Sequence, residues 1–83
     1  MNATQCKMAR VALGWGVREL ATAAKVSTQT VTRFERGDHL KTLTIKILQI
    51  TLEEAGVEFI AENGGGVGVR LRNKSAGQQR WGD

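Results

Sequence analysis

One cysteine and one histidine are the only such side chains in the 83 residues. A lone Cys6 excludes an internal disulfide. Together with His39 it falls short of the roughly four ligands a structural zinc site needs. Cys6 and His39 stand far apart in the chain, no carboxylate pair sits in a catalytic motif, and no cofactor fingerprint occurs. An enzyme fails on that inventory, and neither a cofactor nor a metal is expected. There is no apolar run of the kind that marks a signal peptide or a membrane span, and no lipidation motif. The chain therefore reads as cytoplasmic, and as nucleoid-associated when bound to DNA. The glycines at 64–66 are followed by neither GK[ST] nor a helical pattern, which removes a phosphate-cradling nucleotide loop.

What the chain does have is a positive balance, 12 Lys and Arg against 8 Asp and Glu, for a formal net charge of +4 and a pI of about 9.9. That balance favours a polyanionic partner, although proteins that bind no anion share it. The length fits one small domain, which buries a limited core and is often helped by oligomerisation.

The most organised stretch runs from Arg18 to Gly37, RELATAAKVSTQTVTRFERG. A first helical pattern puts Leu20, Ala21 and Ala24 on one face. A joint, Ala24-Lys25-Val26-Ser27, leads into a second pattern in which Val31 and Phe34 share a face at i, i+3 spacing. Ser27 can cap that second helix with its hydroxyl, and Gly37 stands where a left-handed residue commonly ends one. Thr28, Gln29, Thr32, Arg33 and Arg36 fall on the remaining faces. Gln pairs bidentately with adenine, Arg with guanine, and Thr offers a hydroxyl or a methyl. An exposed helix that begins with such residues suits major-groove reading. A helical bundle whose polar face is merely solvated is the plainer alternative.

With Leu20-Ala21, Val26-Ser27, Val31, Phe34, Glu35 and Gly37 in register, the stretch resembles the helix-turn-helix of the phage repressor and Cro (XRE) family, over roughly residues 8–56. The resemblance implies a mainly α fold: a four-helix, repressor-like domain with the first helix packed behind the helix-turn-helix. It implies sequence-specific binding of double-stranded DNA, with Thr28, Gln29, Thr32 and Arg33 presented to bases. Lys25 stands where the family usually has glycine; if it is left-handed there, it carries a strain of roughly 1–2 kcal/mol. The loop after Gly37 corresponds to one that lies on the DNA backbone in the family, with Lys41 as its candidate contact. Ser27, Arg36 and Arg18 complete the candidate phosphate contacts. Arg18 lies near the start of the helix opening at Val17, where no side-chain cap precedes and free amides suit a phosphate. An ordinary solvated arginine is the alternative there.

Outside that stretch, residues 1–2 read as frayed and Ala3–Leu13 as a first helix, with Cys6, Ala9 and Leu13 on one stripe. Gly14-Trp15-Gly16 stops it, with Trp15 as a plug between helices. Glu19 and His39 read as surface. Thr42 can cap a fourth helix, LTIKILQITLEEAG, whose apolar residues cover more than one face, whereas a surface helix needs a single stripe. After Gly56 the period changes to two: VEFIA, the Asn63-Gly64 turn signal and VGVRLR read as a β-hairpin. A lone hairpin is marginal in water. It must pack on the fourth helix or pair with a second subunit. The organisation is thus a helix-turn-helix domain at 1–56, a hairpin at 57–72, read as dimerising, and a flexible tail at 73–83 in which Trp81 either docks, binds a partner or does neither.

The functional expectation is a transcriptional regulator that binds an inverted repeat as a homodimer through helix 28–36. Its expected dimer interface holds Ile47, Ile50, Phe59, Val69 and Leu71. The alternative is an antitoxin or anti-activator that works by engaging a regulatory protein partner. The two roles can coexist.

Overall fold

A computed structural model describes residues 1–62 and 64–72. Asn63, the first residue of the expected turn, and the tail 73–83 with Trp81 lie outside the described residues. The chain forms helices α1 (Ala3–Ala12), α2 (Val17–Ala24), α3 (Thr28–Glu35) and α4 (Thr42–Glu54), then strands β1 (Val57–Ile60) and β2 (Gly68–Leu71). The strands pair antiparallel, Val57 opposite Leu71 and Phe59 opposite Val69. The fold is mainly helical with a C-terminal hairpin, as the periodicities predict.

The start of α1 is not frayed. Asn2 Oδ1 accepts from the Gln5 amide at 2.8 Å, and Gln5 Oε1 accepts from the Asn2 amide at 3.0 Å. This reciprocal capping box satisfies two amides at once and fixes the first turn. Thr42 does not cap α4. Lys41 holds the extended cap conformation and Thr42 already lies inside the helix, so α4 begins without a side-chain cap.

The helices stop in a common way. After α3 the amides of Gly37 and Asp38 donate to the carbonyls of Phe34 and Arg33, both at 3.0 Å, with Gly37 at φ +100°. That double bond is a Schellman motif, which needs a left-handed residue where Gly37 stands. The same pair of bonds closes α2: Lys25 donates to Thr22 and Val26 to Ala21. Here Lys25 takes the left-handed position, φ 60° and ψ 43°.

The core joins all four helices to the hairpin. Leu20, Val31, Leu48, Leu52, Val57 and Cys6 are fully buried, with Ala9, Ala21, Ala24 and Phe34 around them. Burying each of the larger aliphatic side chains contributes about 1.5–3 kcal/mol. Because Val57 belongs to this cluster, the packing runs straight across the 56/57 junction. Trp15, Phe59 and Val69 are half-buried against the same cluster.

Among the described residues, Gln5 is the polar residue buried as a whole, backbone and side chain together. Its Nε2 donates to the carbonyls of Ile60 and Gly68, each at 3.1 Å, so one amide clasps both strands where they face each other. A second tie is Arg72, whose Nη2 donates to the Glu53 carbonyl at the C-terminal end of α4 at 2.8 Å. The hairpin thus packs on α1 and α4 of its own chain.

Candidate nucleic-acid interface

Helix α3 has two faces with separate tasks. Inward, Val31 and Phe34 enter the core. Beside them, Glu35 meets Arg10 of α1 in a bidentate ion pair: Nε to Oε2 and Nη2 to Oε1, both at 2.9 Å. The pair is nearly sealed, with the side chains 14% and 6% exposed. Arg10 Nη1 also donates to the Trp15 carbonyl at 3.1 Å, and the Cys6 thiol donates to Glu35 Oε2 at 3.4 Å. Burial first, then the neighbouring Glu35 charge, pushes the Cys6 thiol up from 9.0 to about 12. Its hydrogen bond to Glu35 holds Arg10 more firmly protonated than usual. This lock fixes α3 on α1 and so sets which way its other face points.

The outward face carries Thr28, Gln29, Thr32, Arg33 and Arg36, all exposed. At the start of the helix, Ser27 Oγ accepts from the Thr30 amide at 3.0 Å and meets Thr30 Oγ1 at 2.9 Å. The Ser27 side chain is therefore occupied with capping. The Thr32 hydroxyl donates to the Thr28 carbonyl at 3.0 Å, which keeps it on the helix and leaves its oxygen as an acceptor. Gln29 lies between them, near the helix start.

Asp38 closes the far end of this face. Its Oδ2 takes Arg36 Nη2 at 2.7 Å and Arg33 Nε at 3.5 Å, and its Oδ1 takes Arg36 Nε at 3.4 Å. The Arg36 hydrogen bond, reinforced by the Arg36 charge and by Arg33, holds the Asp38 carboxyl below its ordinary range, and Arg36 is raised in turn. Nothing in the local sequence around Asp38 signals this role, because both arginines reach it only once the turn after α3 has formed.

Arg18 and Lys41 are exposed at the starts of α2 and α4. Arg18 lines a surface groove with Trp15, Glu19 and Thr22. Glu19 is more than surface: its Oε1 accepts from the Gly16 amide at 2.9 Å. Gly16 has no side chain to return the bond, so only half of a capping box exists. A Cβ there would come within 2.8 Å of that same oxygen. The Glu19 charge makes the α2 start a weaker anion site than expected. At α4 no side-chain cap intervenes, and Lys41 puts a cation at the positive end of the helix dipole, an arrangement that a bound anion relieves. Lys7, which the sequence did not single out, shares a groove with Thr32 and Arg36 and adds a cation beside α3.

The five expected interface residues divide. Ile47 and Ile50 are 38% and 43% exposed, and with Leu43 at 69% they form a second apolar stripe on the outer side of α4. Leu71 is half exposed. Phe59 and Val69 pack instead against their own core, because the hairpin face that carries them lies on the helices. Among the described residues no group of three or more His, Cys, Asp or Glu side chains is arranged to hold a metal ion, and no helix is long and apolar enough to cross a membrane. Compared with models of known protein families and with curated protein sequences, the chain matches none.

Proposed function

We propose that the protein is a sequence-specific, cytoplasmic DNA-binding regulator of the phage repressor and Cro type. It inserts α3 into the major groove of double-stranded DNA. The observation that carries this reading is the division of α3: one face locked inward by Val31, Phe34 and the Arg10–Glu35 pair, the other offering Gln29, Thr32, Arg33 and Arg36 to solvent. Thr28, Gln29, Thr32 and Arg33 contact bases. Arg18, Lys41 and the Ser27 backbone contact phosphates; Arg36, expected to do the same, is held by Asp38 instead.

The working unit is a homodimer on an inverted repeat, since one recognition helix covers few base pairs and two-fold pairing doubles the contacts. The outer stripe of α4, Leu43, Ile47 and Ile50, is the apolar surface that supports it. The same stripe supports the second reading, a module that engages a partner protein. Light scattering at micromolar concentration separates these: a dimer mass supports self-association, and a monomer mass favours a partner.

Anisotropy titrations on short duplexes test DNA binding itself. Lys41→Ala should weaken selected and scrambled duplexes equally and flatten the dependence of log K on log salt by about 0.9, the effect of one lost phosphate contact. Wild-type protein that binds neither duplex at low salt would overturn the reading.

A further inference from the structure

The Asp38 carboxylate is an odd group to find on a surface offered to DNA. It sits at the negative end of the α3 dipole, where a carboxylate is disfavoured. On a face near phosphates it would also repel the ligand. Yet its position is built in. The Schellman turn bonds the Asp38 amide to the Arg33 carbonyl at 3.0 Å, which turns the side chain back over the last turn of the helix. There it gathers both arginines of the outward face.

The two arginines are held differently. Arg36 gives Asp38 its Nε and Nη2, the edge it would otherwise offer to a phosphate. Arg33 gives only its Nε, at the longer distance of 3.5 Å. The Nη1 and Nη2 of Arg33 thus stay available as the fork that pairs with guanine O6 and N7. One carboxylate therefore braces a base-reading arginine from behind and occupies a phosphate-seeking one.

We propose that Asp38 is a specificity-determining residue of this surface. It orients Arg33 for a guanine and withholds Arg36 from the backbone, so that random DNA is bound weakly and the correct sequence keeps its base contacts. This inference rests on the DNA-binding reading above. It goes further by assigning discrimination to a residue that itself touches no base.

The test uses the full chain with Asp38→Asn, Arg36→Ala and the double variant, titrated on a selected duplex and a scrambled one across a salt series. Asp38→Asn should bind scrambled DNA roughly three- to eightfold more tightly at 0.1 M salt, the weight of about one added phosphate contact, and its salt slope should steepen by about 0.9. Affinity for the selected duplex should stay level or fall, so the ratio of the two drops at least threefold. In the Arg36→Ala background the gain on scrambled DNA should disappear. Thermal melts by circular dichroism establish that each variant is folded at the assay temperature. If wild type binds DNA and Asp38→Asn leaves both slope and ratio unchanged, the inference falls and DNA binding stands. Weaker binding of Asp38→Asn to both duplexes equally also overturns it, since Asp38 would then merely shape the arginines for phosphates. If wild type binds no DNA, both fall together.

Discussion

Replacing Arg10 by methionine should remove the lock that sets the outward face of α3. The substitution keeps much of the aliphatic stem and deletes three bonds, two to Glu35 and one to the Trp15 carbonyl. It leaves a carboxylate only 6% exposed, with the Cys6 thiol as its remaining side-chain donor. Breaking a buried pair in this way costs about 3–5 kcal/mol, whereas replacing both partners with apolar groups is often close to neutral. Arg10 is 14% exposed, so some water reaches the pair and the lower end, about 3 kcal/mol, is expected. A domain of this length has roughly 4–12 kcal/mol in all. At about 4–8 °C per kcal/mol, the thermal midpoint should fall by roughly 12–24 °C. Urea unfolding followed by circular dichroism measures the loss directly. Arg10→Met/Glu35→Leu should recover most of it, because the two sites are coupled and the double variant leaves no unpaired charge. A loss under about 1 kcal/mol for Arg10→Met, or a double variant equal to the sum of the singles, would show that the pair is solvated and does not fix α3.

Two further outcomes follow from local chemistry. Lys25→Gly relieves a left-handed strain of about 1–2 kcal/mol, partly offset by the greater freedom of glycine in the unfolded chain, about 0.4–1 kcal/mol; a net gain of roughly 0.5–1 kcal/mol should appear as a higher urea midpoint, and a loss would mean that the Lys25 side chain stabilises the joint. The Cys6 thiol, raised from 9.0 to about 12, keeps its proton in the folded protein where the unfolded chain loses it. Its contribution is therefore complete below pH 9 and declines as pH climbs toward 12. At pH 10 wild type should have lost on the order of 1 kcal/mol more than Cys6→Ala, since that pH lies one unit above the ordinary thiol value, and parallel pH profiles for the two proteins would contradict it.

The parts of this fold that rest on local spacing are legible in the sequence. The i, i+3 pair Val31 and Phe34, the cap Ser27, the left-handed Gly37 and the period-two run ending at Leu71 all stand where the pattern puts them. The capping box of Asn2 and Gln5 is legible too, as an Asn followed three residues later by Gln, although a place so near the first residue reads more readily as frayed. Thr42 misled because a threonine before an apolar run resembles a cap, while the backbone turns into the helix one residue earlier, at Lys41. The long-range polar contacts carry no local signal. Arg10 and Glu35 are 25 residues apart, and Gln5 reaches carbonyls 55 and 63 residues away. Gln5 lies on the same side of α1 as Cys6 and Ala9, and only the arrival of the hairpin makes it a core residue. Phe59 and Val69 read as a surface in need of a partner for the same reason: the partner that covers them is the chain's own helices.

In the proposed function, the exposed face of α3 reads bases. Selection from a randomised duplex pool, run in parallel with wild type and Gln29→Ala and followed by sequencing, tests it most directly. Wild type should yield an enriched inverted repeat. Gln29→Ala should yield the same repeat with preference relaxed at one or two positions per half-site, each worth roughly 1–3 kcal/mol. A wild-type pool without enrichment, or an identical motif from both proteins, would contradict it.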